Sequence, residues 1–366
     1  MSVYFEAKRL FYNQTGLGNY CRWLLRGLKQ HDPAETWHLL TPDNGPSPYL
    51  KEFTDASYRI HQYANPLGLA RTFMLGRNLG RGDILHGLSA ELPFHSIRPN
   101  YRQIVTVHDV IFMSRKHDYA MADRMIYTAK LRHAVHTADR IVCVSQYTAD
   151  DLKKYLRVDE QKIRVIYQNC DPVFYQAQVH CTDETLPLSL PKSYWLCVSS
   201  FGPRKNLNSV VEAYRTMSRE DRQPVVMVGS GRLMQPFIEA VRRHELDPWF
   251  IFLHNLDTPT LAWLYRHSLG LIYPSLMEGF GIPAVEAMAS DVPVIAHRGS
   301  VLQEIAGAAG IYANCLQPEE LAGAIVNIQN NPQWRSGFQI QAKEELKKFD
   351  NSTLIHEYHQ LYHDTK

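Results

Sequence analysis

Short runs rich in Val, Ile and Leu alternate along this chain with segments of helical period, and the alternation starts afresh halfway. The first series is "GDILHG" (82–87), "QIVTVHD" (103–109), "RIVCVS" (140–145) and "KIRVIY" (162–167). The second is "YWLCVSS" (194–200), "PVVMVG" (224–229), "FIFLHN" (250–255), "LGLIYP" (269–274) and "VPVIAH" (292–297). A strand that is apolar on both faces must be covered on both faces, so this pattern calls for parallel sheets flanked by helices. Between the series, residues 169–194 carry proline and polar residues with little periodicity, the composition of an interdomain linker. The expectation is an α/β protein with two doubly wound, Rossmann-like domains, residues 1–170 and 193–349, joined by a linker over 171–192. A length of 366 residues, 45% of them hydrophobic, is enough for two cores.

Helix faces are also legible. "KNLNSVVEAYRTM" puts Leu207, Val210, Val211, Tyr214 and Met217 on one face that packs against a sheet. Segments that follow strands therefore sit at the carboxyl ends of the strands, where open α/β sheets bind ligands.

Composition narrows the function classes. The six cysteines are scattered, with no C-x-x-C pair and no His/Cys cluster at zinc spacing, which suggests a reducing compartment and no structural metal. No run of about 18 apolar residues is present, and the N-terminal stretch mixes Glu6, Lys8 and Arg9 into its apolar residues, unlike a secretion signal. A cytoplasmic protein is expected. Residues 1–176 carry 23 Lys and Arg against 17 Asp and Glu, a net +6, whereas residues 177–366 sum to −4. A basic half fits an anionic partner such as a phosphate-bearing substrate or an acidic membrane surface, or is simply a solvated face.

The stretch "SLMEGFGIPAVEAMASDVPVIAH" (275–297) carries the most chemistry. Strand "LGLIYP" ends at Pro274, a glycine-flanked turn holds Glu278, and Pro283 suits the first position of the next helix, which places Glu286 in its first turn. Gly279 and Gly281 let the backbone approach a ligand, and the unpaired amides of a helix start favour an anion such as a diphosphate. A carboxylate nearby accepts hydrogen bonds from sugar hydroxyls. The spacing alone leaves a second reading open, in which Glu278 caps the helix and Glu286 complements its dipole.

"EGFGIPAVEAMASDVPVIAHRGSVLQEIAGAAGIYA" strongly resembles the E-x7-E region of retaining glycosyltransferases of the GT-B fold, family 4. Four further segments match in order: "TGLGNYCRWLLRGL" resembles the family's glycine loop and first helix, "TVHDVIF" its His-Asp element, "VSQYTADDL" a late N-domain strand and helix, and "GPRKNL" its donor-phosphate loop. The resemblance implies two domains facing across a cleft, the first completed by a C-terminal helix over 350–366. It also implies roles. Glu286 would hold the nucleotide ribose and Glu278 the donor-sugar hydroxyls, with the amides around Phe280, Gly281 and Ile282 meeting sugar and phosphates. Arg204 and Lys205 would neutralise the leaving diphosphate, Gly16 and Gly18 would approach the diphosphate or the acceptor, and His108 would contact donor sugar or acceptor. Asp109 and Arg9, the latter at the end of the first strand, are weaker candidates. One departure is Ser199, where many members have an arginine.

On this resemblance the chain is a glycosyltransferase using a GDP- or UDP-sugar, with retention and without metal or other cofactor. No Asp-x-Asp motif of the metal-dependent sugar transferases is present. "RKN" and "EGFGIPAVEA" look most like bacterial mannosyltransferases of cell-surface polysaccharides, which makes GDP-mannose the first choice of donor. The expected acceptor is a glycan or lipid-linked glycan, with no nucleic acid partner. Arg71, Arg77, Arg81, Arg115 and Lys116 have the charge for peripheral contact with the inner face of a membrane. Lys205→Ala is expected to lower turnover with the fold intact. The alternatives are an epimerase or phosphorylase on the same fold, or a non-catalytic sugar-nucleotide-binding relative. A dinucleotide oxidoreductase is disfavoured because "VGSGRLM" (228–234) has Met234 where the fingerprint needs its last glycine.

Overall fold

The computed structural model describes residues 1–43, 45–63, 75–94, 99–179, 190–331 and 333–364. Arg71 and Cys181 lie outside the described residues. Two units emerge, Met1–Asn169 with Phe349–Lys366, and Cys170–Lys348.

The first unit is built on seven strands: β1 (Val3–Glu6), β2 (Trp37–Pro42), β3 (Tyr58–Tyr63), β4 (Ile84–Gly87), β5 (Arg102–Val107), β6 (Arg140–Cys143) and β7 (Ile163–Val165). Their order is β3-β2-β1-β4-β5-β6-β7, and every pair is parallel. The second unit has β8 (Trp195–Val198), β9 (Val225–Val228), β10 (Phe250–Leu253), β11 (Leu271–Tyr273), β12 (Val294–His297) and β13 (Gly310–Ala313), all parallel, in the order β10-β9-β8-β11-β12-β13. In each sheet the chain winds outward from the first strand and then returns to build on its other side. The order reverses between β1 and β4 and between β8 and β11, and such a switch opens a crevice at the carboxyl ends of the strands.

Burial on both faces explains why the central strands were legible. All four residues of β9 are buried, as are all four of β4. The strands β1, β2, β3 and β13 were not among the apolar runs. β2 and β3 carry Trp37, His38, His61 and Tyr63 rather than aliphatic runs, and β3, at the sheet edge, is mostly part-exposed, with only Tyr58 buried. The helix Asn208–Thr216 does turn the predicted face inward: Leu207, Val210, Val211, Tyr214 and Met217 are all buried.

The proline-rich stretch read as a linker begins with residues that belong to the second unit. Asp171 caps the turn Pro172–Tyr175 by accepting from the Val173 amide at 3.0 Å. Phe174 is buried edge-on to Tyr265, 5.7 Å between ring centres, and its carbonyl accepts from Arg266 at 2.7 Å. A single buried side chain anchors this turn, which leaves no periodicity for a sequence reading to find.

The helix Asn351–His363 belongs to the first unit. Asp350 caps it, accepting from the Thr353 amide at 2.9 Å, and Leu354, Ile355, Tyr358, Leu361 and Tyr362 are buried. It lies against the helix Gly16–His31, where a side chain at Gly27 would collide with Ile355, its Cβ falling 2.4 Å from Cδ1. Two of its tyrosines close a buried polar chain. The Tyr358 and Tyr20 hydroxyls are 2.8 Å apart, Tyr20 meets the Thr106 hydroxyl at 2.9 Å, and Thr106 meets His86 Nε2 at 2.8 Å. His86 Nδ1 meets the Tyr362 hydroxyl at 2.9 Å. Burial lowers the His86 pKa to about 3, so the ring is neutral and each of its nitrogens needs a partner. Tyr362→Phe should therefore destabilise the chain by about 1–3 kcal/mol, seen as a lower urea midpoint. An unchanged midpoint would show that the chain of hydrogen bonds adds nothing.

Candidate functional site

Because β8 and β11 are neighbours, the loops that leave their carboxyl ends are neighbours too. After β8 the chain makes the single 3-10 turn Pro203–Lys205, closed by Asn206 in the left-handed region at φ 52°. After β11 comes the turn Pro274–Gly281 and the helix Ile282–Ala289. The loops are laced together by their backbones: the Leu276 amide donates to the Arg204 carbonyl at 3.0 Å, and Arg204 Nη1 donates to the Met277 carbonyl at 3.0 Å. Asn206 Nδ2 donates to the carbonyl of Cys315, just past β13, at 3.0 Å.

At this junction Glu278 is buried and holds both cations. Lys205 Nζ donates to its Oε1, Arg204 Nη1 to its Oε2, and the Ser275 hydroxyl to Oε1 at 2.7 Å. Burial opposes ionisation of this carboxyl, but Lys205 and then Arg204 more than offset it and hold the pKa at about 2. Expected to serve separate parts of a ligand, the three residues form one ionic cluster, and Glu278 is not a helix cap.

Gly281 has φ 109°, and a Cβ there would lie 2.5 Å from Leu302 Cδ2, so this position requires glycine twice over. The helix opens at Ile282, with Pro283 second. The Gly281 and Ile282 amides stand where N–H groups have no intrahelical acceptor. The Phe280 side chain is buried. Glu286 is the fifth helical residue, in the second turn rather than the first, which removes the reading that it merely complements the helix dipole. Its carboxyl is 7% exposed, and Oε2 accepts from the Tyr265 hydroxyl at 2.9 Å. Burial raises its pKa to about 7, against the hydrogen bond from Tyr265, and the charge of Asp171 adds to the rise.

Ser199, where the resemblance has an arginine, packs its carbonyl against Gly229, at which a Cβ would sit 1.9 Å from that oxygen.

The other candidates gather in the first unit around its own switch point. His108 follows β5, and its Nε2 lies 2.9 Å from the Leu88 carbonyl beyond β4. A carbonyl only accepts, so Nε2 carries the proton and Nδ1 is the acceptor. Burial lowers the His108 pKa to about 4, leaving a neutral ring, which packs edge-on to Tyr20 at 4.6 Å. Arg9 lies in the helix Lys8–Tyr12 rather than at a strand end, and its Nε is buried without a hydrogen-bond acceptor among the described residues. Gly16 and Gly18 lie inside the first turn of the helix Gly16–His31, not before it. The Asn13 side chain accepts from the Thr15 and Gly18 amides at 2.9 and 3.0 Å, and a Cβ on Gly18 would lie 1.8 Å from the Asn13 carbonyl oxygen. Gly18 is thus required by the turn, whereas a Cβ on Gly16 meets nothing within 4 Å. Asp109 accepts from the Ile111 amide at 3.1 Å and starts the short helix Ile111–Ser114.

Sequence reasoning did not single out Ser275, Asn206 or Tyr265. Ser275 lies three residues before Glu278 in the same turn, a visible signal. Tyr265 lies in the helix Thr258–His267, before β11, and only packing brings it to Glu286.

A family model described as "Glycosyl transferases group 1" matches residues 182–345, and one described as "Glycosyltransferase Family 4" matches residues 15–172. The chain is a glycosyltransferase of the GT-B fold. An O-antigen chain mannosyltransferase of Salmonella typhimurium is 28% identical over 67% of this glycosyltransferase, a match that spans 65% of that relative. Another, from Escherichia coli, is 25% identical over 73% of this chain and 70% of its own. Among solved structures, HepE of Anabaena in complex with UDP superposes with a TM-score of 0.71 at 14% identity, covering 99% of both chains. WaaG, a glycosyltransferase involved in lipopolysaccharide biosynthesis, does so with a TM-score of 0.73 at 13% identity over the whole of both chains.

The burial of Lys205 against Glu278 changes what its replacement does. Lys205→Ala leaves a buried carboxylate with one partner fewer, so the fold should lose about 3 kcal/mol as well as turnover. Adding Glu278→Gln should restore much of that stability in chemical unfolding, and no recovery would mean that the ion pair is not the cause. Glu286 behaves in the opposite sense. Its folded pKa lies above the ordinary 4.5, so its contribution to stability is present below about pH 4.5 and is lost as the pH rises through about 7. Glu286→Gln should be neutral near pH 4.5 and stabilising at pH 8 by up to about 3 kcal/mol, read from thermal or urea unfolding at the two pH values.

Proposed function

We propose that this glycosyltransferase moves a hexose, mannose by first choice, from a nucleoside diphosphate sugar to a glycan carried on a lipid, with retention of configuration and without a metal. The observation that carries the reading is the cluster of Arg204, Lys205 and Glu278 at the β8–β11 switch point, with Glu286 on the adjoining helix. Two cations already positioned beside a helix start are suited to a diphosphate, whose charge grows as the glycosidic bond breaks. The diphosphate would share Arg204 and Lys205 with Glu278, freeing carboxylate lone pairs for sugar hydroxyls. Glu286 would accept from the ribose hydroxyls. His108, neutral, offers Nδ1 as an acceptor to a hydroxyl of the donor sugar or the acceptor. The leaving phosphate would itself take the acceptor proton, front-face attack needing no enzymic nucleophile. The O-antigen mannosyltransferases among the relatives support mannose and a surface-polysaccharide acceptor.

Contact with an anionic membrane surface is the second part of the reading, in line with a lipid-linked acceptor. Four large apolar side chains are exposed within one stretch of the helix Met121–Thr137: Met121 at 69%, Met125 at 65%, Ile126 at 52% and Tyr127 at 46%. Residues 115–137 carry five Lys and Arg against two Asp, a net +3. Apolar side chains flanked by cations suit the interface of an acidic bilayer, each cation adding about 1 kcal/mol. No helix among the described residues is long and apolar enough to cross a membrane.

Calorimetric titration with GDP and UDP tests the donor. Binding of one of them below millimolar is expected, and binding of neither would end the transferase mechanism drawn here. Turnover with the matching sugar nucleotide should survive a chelator. For the membrane, flotation with anionic and neutral liposomes at low salt should show capture by the anionic ones alone, weakened by Met125→Asp. Equal failure with both would remove the membrane part and leave the transfer chemistry standing.

A further inference from the structure

Glu286 is an unusual acceptor for a neutral ligand, because none of the described groups shown to face it carries a positive charge. On its own helix the neighbouring buried residues Val285 and Ala287 are apolar. From the turn before Pro172–Tyr175 it is faced by the Cys170 thiol and the Asp171 carboxylate, and from β11 by the Tyr273 ring. From the helix Thr258–His267 comes Tyr265, fully buried, whose hydroxyl donates to Oε2 at 2.9 Å. The cation beside it in sequence, Arg266, is turned elsewhere, to the Phe174 carbonyl at 2.7 Å and toward Asp171's neighbour turn and Asp291, 3.9 Å away. Among the described residues, the Tyr265 hydroxyl supports the carboxylate form of Glu286, whereas burial and the charge of Asp171 favour the carboxylic acid.

We propose that Tyr265 is a positioning residue for nucleotide binding: its hydroxyl holds the Glu286 carboxyl ionised and aimed, and nucleotide binding is coupled to the loss of a proton from that carboxyl. The inference rests on the reading that Glu286 receives the ribose. Hydroxyl donors bind a carboxylate more strongly than a carboxylic acid, so the complex favours the ionised form. The proton of the acid form goes to solvent, the ribose hydroxyls keep theirs, and no covalent bond of the nucleotide changes. The direction follows from linkage: affinity rises with pH until the free protein is itself ionised, and binding releases a proton below that point. The half-ionised state of Glu286 near pH 7 places this window within the physiological range.

The experiment is calorimetric titration of the full chain with GDP and with UDP from pH 6 to 9, each in two buffers of contrasting ionisation enthalpy, which counts the protons released. Glu286→Gln is the reference, since the nucleotide phosphate titrates in both proteins alike. The wild type should release up to one proton more than Glu286→Gln near neutral pH, and its gain in affinity from pH 6 to pH 8 should exceed the variant's several-fold. Tyr265→Phe should move the wild-type affinity profile upward by about one pH unit and regain affinity at pH 9. A loss of affinity equal at every pH would make Tyr265 a packing residue only. If a nucleotide binds and the wild type and Glu286→Gln release the same number of protons, the coupling is refuted while the donor assignment stands. That comparison decides the question even if Tyr265→Phe does not fold. If neither nucleotide binds the wild type, the donor assignment fails first and this inference with it.

Discussion

The second unit is organised around a carboxylate that is buried without being neutral. Glu278 is 7% exposed, and in that position an isolated carboxylate would take up a proton. It stays charged because the chain brings Lys205 and Arg204 to it from the neighbouring strand end, with the Ser275 hydroxyl completing the set. The same contacts fix the loop after β8 to the loop after β11, so the ionic cluster determines backbone geometry as well as charge. On the proposed function, a donor diphosphate would meet two cations whose positions Glu278 already fixes, the kind of preorganisation that makes an electrostatic site effective.

The two glutamates of the E-x7-E stretch are thus driven in opposite directions by their surroundings. Both are buried to the same extent, yet Glu278 lies near 2 and Glu286 near 7. Burial raises both, but at Glu278 two cations more than offset it, whereas at Glu286 only the Tyr265 hydroxyl opposes the rise and the charge of Asp171 adds to it. The spacing of the two glutamates along the chain has no bearing on this difference. Opposite shifts of this kind are common where a site needs one group permanently charged and another able to respond to a ligand.

The first unit is held by neutral polar groups instead. The Tyr358–Tyr20–Thr106–His86–Tyr362 chain runs through the interior between the C-terminal helix and the sheet, and each member satisfies the next. It passes beside His108, since the Tyr20 ring packs edge-on to that imidazole. The residues that tie the C-terminal helix in place are therefore one contact away from a candidate site residue.

From the sequence alone came the class of fold, two parallel sheets, because strands apolar on both faces admit few other arrangements, and the loops that would carry the chemistry, because glycine and proline mark the ends of strands and the starts of helices. Gly281 is a case in which the letter and the backbone agree, at φ 109°. Edge strands such as β3 were harder to see, since a half-exposed strand need not be apolar. What no sequence reading supplied was who touches whom: that Glu278 would bind Arg204 and Lys205, 74 and 73 residues away, and that Tyr265 would meet Glu286. Those pairings follow from strand order, and strand order is set by how whole layers pack, a property of the folded sheet that no single segment contains.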